Sequence, residues 1–308
     1  MKPASSTAIP LQTIIDIPKA PFQITHADRL LLIGSCFADE IGEKLAMNGF
    51  QTLANPFGTL YNPASIATLL LRCISERECN EVFADADGTW HSWLHHTRFS
   101  AASKEVLLQR ISQATQEATQ FLCTAKVLFI TLGTAIIYRL EKDGMLVANC
   151  HKQPDKLFCR QRMNAYDIVD QWKILLQLLQ ALNPELHIVF TVSPIRHKRD
   201  GLHVNQISKG ILLQAVDEIC TTNNSLCTYF PSYEIMLDEL RDYRFYADDM
   251  IHPSPLAVEY IWQRFQQAYM SQQTIGQCHQ RLKEWKQKQH RNIMDSESTP
   301  PPHVIHDR

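Results

Sequence analysis

The sequence predicts an α/β protein, a three-layer αβα sandwich on a mostly parallel five-stranded sheet with hairpin insertions at its rim. Three observations carry this. Short apolar, β-rich runs alternate with helical stretches along the chain, as parallel strands joined by crossover helices require. Each helical stretch carries one apolar stripe, so it has a face to lay on a sheet. At 308 residues the chain buries a sizeable core without disulfides or a structural metal.

The first strand is Leu30–Ile33, followed by Gly34, Ser35, Cys36 and a helix FADEIGEKLAM with Asp39 and Glu40 in its first turn. Phe50–Ala54 forms the second strand. The next helix repeats Ile66, Leu69, Leu70, Cys73 and Ile74 at helical spacing, and Val127–Leu132 is the third strand. Val169, Trp172, Leu175, Leu176 and Leu179 make the following stripe, before the strand His187–Val192. Ile207, Ile211, Leu212, Ala215 and Ile219 make another, before the strand Leu226–Phe230. A last amphipathic helix carries Leu256, Tyr260 and Ile261.

Two segments interrupt the alternation. Residues 85–100 and 138–164 contain Asp87–Gly88 and Asp143–Gly144 between β-formers, which predicts hairpins or loops near one rim of the sheet. We expect an N-terminal extension over 1–21, one domain over 22–270, and a polar helix and tail over 271–308. Glu284–Arg291 extends a surface helix in this reading, and the proline-rich last dozen residues are too polar to pack.

A formal charge of −2 lacks the basic excess that neutralises phosphates, so no nucleic-acid partner is expected. The N-terminus lacks an apolar core of signal-peptide length, and no segment approaches the ~18 apolar residues of a membrane helix. Nine cysteines at irregular spacing, with no Cys-x-x-Cys, point to reduced thiols in a cytoplasm rather than a disulfide framework or zinc site. A thiol-dependent redox role is disfavoured, since no resolving cysteine stands close in sequence to Cys36. His91, His95 and His96 have no carboxylate or cysteine partner at ligand spacing, so neither metal nor cofactor is expected.

In an open parallel sheet, ligands bind beyond the carboxyl ends of the strands. There a Gly–Ser–Cys turn presents Ser35 or Cys36 at a helix N-terminus, where a thiolate or alkoxide is stabilised and amides receive an oxyanion. Asp249 and His252 supply the other half: an imidazole to take the nucleophile's proton and a carboxylate to set its tautomer. His151 and His197 are expected to line or support the cleft. Arg196, with Lys198 and Arg199, is either an anion-holding cluster or a solvated loop.

The blocks IGSCFADEIGEKL, ANPFGTLYNP, FITLGTAIIYRL, ANCHKQP, TVSPIRHKRDGLHVNQISK and YRFYADDMIHPSP resemble the bacterial GSCFA family, from about Phe22 to Met270. That family is similar to the SGNH (GDSL-like) hydrolases, whose fold is flavodoxin-like. The resemblance places Cys36 at the hydrolase nucleophile and Ser35 at the preceding aspartate; a one-residue slip exchanges the roles. It implies an oxyanion hole containing the Gly58 amide and the Asn55 side chain. The usual Gly-x-Asn block reads Gly133-Thr134-Ala135, so Thr134, or Asn149 from the ANCHK loop, stands in for the missing asparagine. Asp249 and His252 keep the final block.

The expected function is therefore ester or thioester hydrolysis through an acyl-enzyme, or acyl transfer, on a small-molecule or carbohydrate acyl ester. The alternative is a non-catalytic module that binds a carbohydrate or acyl ligand on a hydrolase scaffold. Oligomeric state is not legible.

Overall fold

Leu30 and Leu32 point into one apolar core and Leu31 and Ile33 into another, so the first strand is covered on both faces. The computed structural model describes residues 12–75 and 77–297. Along the chain run β1 (Arg29–Gly34), α1 (Cys36–Met47), β2 (Gln51–Ala54), α2 (Pro63–Ser75), β3 (Val82–Ala84), β4 (Trp90–Ser92) and α3 (Lys104–Leu122). Then come β5 (Val127–Leu132), β6 (Ile136–Leu140), β7 (Leu146–Val147), β8 (Phe158–Arg162), α4 (Ala165–Leu182), β9 (His187–Val192) and α5 (Leu202–Thr222). The chain continues through β10 (Cys227–Tyr229), α6 (Ser232–Glu234), α7 (Pro255–Tyr269) and α8 (Gln272–Glu297).

β10, β9, β5, β1 and β2 form the five-stranded sheet in that order, every neighbouring pair parallel. The chain leaves β1 toward β2 on one side and returns to β5 on the other. Where this winding reverses, the carboxyl ends of β1 and β5 open a crevice. α2, α4 and α5 cover one face of the sheet, and α1 and α7 the other. The expected strands thus match within a residue or so at each end.

The two expected insertions are antiparallel. β3 and β4 form a hairpin, and β7, β6 and β8 a three-stranded sheet. Trp93 joins them: its ring stacks on Phe83 at 3.7 Å and its carbonyl accepts the Ala148 amide at 2.8 Å. Both Asp-Gly turns carry their glycine at positive φ, +79° for Gly88 and +70° for Gly144.

The α5 stripe differs from its expected course. Ile207 is 36% exposed, while Asn205, Ser208 and Lys209 are buried ahead of Leu212, Ala215, Val216 and Ile219. The first half of this helix faces the polar carboxyl end of the sheet, so its buried face is polar there. Among the described residues no helix is long and apolar enough to cross a membrane, and no group of three or more His, Cys, Asp or Glu could hold a metal ion. Glu284 to Arg291 lie within α8. The tail beyond 297, for which disorder was expected, lies outside the described residues.

Candidate active site

The turn after β1 is clamped from both sides. A Cβ on Gly34 would stand 2.1 Å from Thr131 O, so only glycine lets β1 lie this close to β5. Gly34 N donates to Asn55 Oδ1 at 2.8 Å, Leu60 N donates to Gly34 O at 2.8 Å, and Ser35 N donates to Thr131 O at 3.0 Å. The start of α1 is thereby fixed to the ends of β2 and β5.

Ser35 holds the N-cap position with extended φ and ψ, but its hydroxyl makes no cap bond. It is 1% exposed and donates inward to Ser193 Oγ at 3.0 Å. The first-turn amides of Cys36 and Phe37 are left to the Cys36 thiol. Burial pushes this thiol above its ordinary range. The two amides pull the other way, and Asp39 and Glu40 add to the rise. The resting side chain is a protonated thiol.

Opposite it, His252 Nε2 lies 3.7 Å from Cys36 Sγ. Asp249 Oδ2 sits 2.6 Å from His252 Nδ1, and Oδ1 accepts the amides of Ile251 at 2.8 Å and His252 at 3.0 Å. Those amide and ring donors hold the Asp249 carboxyl down at about 2. An ionised carboxylate only accepts, so Nδ1 carries a proton, and in the neutral ring Nε2 presents its lone pair toward the thiol. Arg196 braces this loop: its amide donates to Ile251 O at 3.2 Å, Nη1 donates to Met250 O at 3.4 Å, and the guanidinium lies 3.9 Å over the Tyr246 ring. These contacts tie Arg196 to the backbone of the His252 loop.

Several expectations are corrected. The Gly58 amide donates to Asn55 O at 2.8 Å, so it is already committed inside a tight turn. Arg98 fastens the same turn through Asn55 O and Pro56 O. Asn55 differs from these: it is fully buried, with φ +44° and Oδ1 accepting the Gly34 amide, and among the described residues its Nδ2, the donor expected of it, makes no hydrogen bond. The Thr134 hydroxyl is 3.0 Å from Ser208 Oγ and accepts the Ile136 amide at 3.1 Å, which removes it from the cleft.

His151 is buried in the hairpin layer and donates Nε2–H to Ser92 O at 2.7 Å; burial first, then the nearby His91, lowers it to about 4. Asn149 accepts the His151 amide at 2.9 Å and reaches Thr97 at 3.4 Å, so both belong to the insertion rather than to the Cys36–His252 pair. His197 remains beside the site, edge-on to Tyr61 at 5.8 Å, and burial, then the Lys209 charge, lowers its pKa. Burial raises the Tyr61 phenol above its ordinary range, and a negative charge on Cys36 would add to that rise.

Lys209 and Ser193 were missed. Lys209 Nζ donates to the Ser193 carbonyl at 2.7 Å beneath the Ser35 hydroxyl. The signal was a lysine three residues before Leu212, in line with the α5 stripe.

Among solved structures, the chain is similar to an acetyl esterase mutant with acetate ion (11% identity, TM-score 0.39, 77% of this chain and 93% of that one). It is also similar to the psychrotrophic esterase EstA from Pseudoalteromonas sp. (13%, TM-score 0.36, 78% and 96%). A third is a carbohydrate esterase family 3 protein from Talaromyces cellulolyticus (11%, TM-score 0.37, 77% and 94%). No curated protein matches the chain. The GSCFA family model matches residues 29–265, so this chain belongs to the GSCFA family.

Proposed function

We propose that this protein hydrolyses small-molecule or carbohydrate acyl esters, or thioesters, through a covalent acyl-enzyme on Cys36. The carrying observation is the line Cys36 Sγ, His252 Nε2, Nδ1, Asp249 Oδ2, with its 3.7 Å and 2.6 Å contacts. His252 Nε2 takes the thiol proton as sulfur attacks the acyl carbonyl, since the thiol is not ionised beforehand. The Cys36 and Phe37 amides at the start of α1 receive the oxyanion; losing one such donor typically costs ~10²–10³ in rate. Collapse breaks the C–O bond of an ester, or the substrate's C–S bond in a thioester, and His252 returns the proton to the departing alkoxide or thiolate. Water, deprotonated at Nε2, then attacks the thioester carbonyl and releases the acid and the Cys36 thiol. A thioester also passes its acyl group readily to an alcohol or amine, so acyl transfer follows the same route.

A binding-only module is the rival. It is favoured by the Thr134 hydroxyl being sealed inside, which leaves the third block without a donor toward the site. Single-turnover release of p-nitrophenol from p-nitrophenyl acetate, with mass analysis of the Cys36 peptide, separates the two. Wild type and S35A should show an acetyl adduct on Cys36, and C36A and H252A none. Full acetyl release by both C36A and S35A would end the enzymatic proposal.

A further inference from the structure

A cavity of about 370 Å³ takes no part in the mechanism above. Its walls come from Arg196 after β9, Gln206 in α5 and the segment 236–246 that follows α6. Residues Ile235–Glu239 are wound as one π-helical turn, a winding frequent at functional sites. The cavity and the His252 loop share a wall. Arg196 donates its amide to Ile251 O at 3.2 Å and Nη1 to Met250 O at 3.4 Å. Tyr246, on the same wall, pairs with Pro253 in an antiparallel bridge, and beside it the Ala247 amide donates to His252 O at 2.8 Å. A group seated in the cavity therefore borders the backbone that carries the imidazole.

The lining defines the chemistry of that group. Its charges, Arg196 and Arg241 against Asp238 and Asp242, sum to zero. Asp238 lies 4.0 Å from Arg241, and Asp242 is held at 2.8 Å by Arg244 behind it. Neither an anion nor a cation gains from such a balanced field. Gln206 Oε1 accepts the Tyr233 hydroxyl, which leaves its amide N–H groups as donors. Met236 and Leu240 are almost wholly buried, so the accessible apolar surface is left mainly to half-buried Leu237 and to Tyr243, which is 69% exposed. An aliphatic acyl chain needs an apolar sleeve and finds none. A neutral ring with hydroxyls on its edge and C–H groups on its face fits: guanidinium, carboxylate and amide groups bond the hydroxyls, and an aromatic face covers the C–H side. The Arg196 guanidinium already covers the Tyr246 ring at 3.9 Å; Tyr243, 5.8 Å from the same guanidinium, is the ring left open.

We propose that this cavity is a subsite for a neutral sugar, with Tyr243 as its stacking platform, and that it seats the carbohydrate alcohol of the acyl ester. The placement of the sugar as leaving group rests on the acyl-enzyme reading; the recognition of the sugar does not.

The test is saturation-transfer difference NMR on wild type, Y243A and R241A with five unesterified probes: cellobiose, xylobiose, N,N′-diacetylchitobiose, octanoate and adenosine 5′-monophosphate. At least one disaccharide should receive saturation in wild type, and its Kd should rise roughly five- to tenfold in Y243A, the loss of one aromatic face. R241A, whose side chain is 82% exposed, should weaken the same disaccharide and keeps the test open if Y243A does not fold. No transfer to any disaccharide, a Kd unmoved in the folded variants, or binding of octanoate or the nucleotide alone overturns the proposal. The acetate ester of the disaccharide that binds should be hydrolysed with a KM raised in Y243A, and an unmoved KM overturns its placement as leaving group. The binding arm needs no turnover. A chain that binds the disaccharide through Tyr243 and forms no acetyl adduct on Cys36 therefore defeats the acyl-enzyme reading alone and leaves the subsite standing.

Discussion

Ser35 and Cys36 are neighbours in sequence and face opposite ways: Ser35 Oγ meets Ser193 Oγ inside the fold at 3.0 Å, and Cys36 Sγ meets His252 Nε2 at 3.7 Å. S35A therefore removes one neutral buried hydrogen bond. Its stability should fall by about 1 kcal/mol in denaturant melts, while acetylation stays within about threefold of wild type. A loss in S35A as deep as in C36A would return the nucleophile's role to the serine.

Gly58 is held by two constraints at once. Its φ is +80°, and a Cβ there would lie 2.1 Å from His96 Cβ, the rigid root of that side chain. G58A should cost roughly 2–5 kcal/mol, the sum of left-handed strain and overpacking. The double variant G58A/H96G should recover the overpacking part and keep the strain, a non-additivity readable in urea midpoints.

Arg196 touches the backbone of the loop that carries His252 and stacks on Tyr246. R196M should lower kcat for p-nitrophenyl acetate about tenfold with KM nearly unchanged, because the imidazole loses its support while substrate binding does not. A rise in KM confined to anionic esters would instead mark Arg196 as a substrate contact.

His95 and His151 are buried as neutral rings, lowered by burial to about 3 and about 4. Between the ordinary ~6.5 and those values the unfolded chain binds protons that the folded chain refuses, so stability falls as pH drops through this window. Each ring should cost on the order of 2–3 kcal/mol by pH 4. Urea midpoints from pH 7 to pH 4 should decline, and less steeply in H151Q. An equal slope in H151Q would mean that this histidine does not drive the acid loss.

Much of the candidate site's histidine loop was legible because it is local. Asp249 and His252 are three residues apart, and a tight turn delivers carboxylate to imidazole whatever lies elsewhere. Gly34 was legible for the same reason, as a strand ending at a glycine before a helix. Gly58 was recognised as special, but its glycine serves the approach of His96 and its amide closes a turn. Thr134 and Asn149 were named as stand-ins for the asparagine missing from the third hydrolase block, and His151 as a residue lining the cleft; each found its partner in an inner hydrogen bond or in the hairpin layer.

The sequence by itself determined the order of strands and helices, since apolar spacing is a property of each segment alone. It also determined that the cysteine turn and the histidine loop stand at the same end of the sheet, because parallel strands put all their carboxyl ends there. Tertiary structure alone decided which of two adjacent side chains meets an imidazole 216 residues away, because that depends on the direction in which the strand enters the helix. It also decided that a lysine in an apolar stripe lies buried under that turn, since burial is set by what packs against a face and not by the face itself.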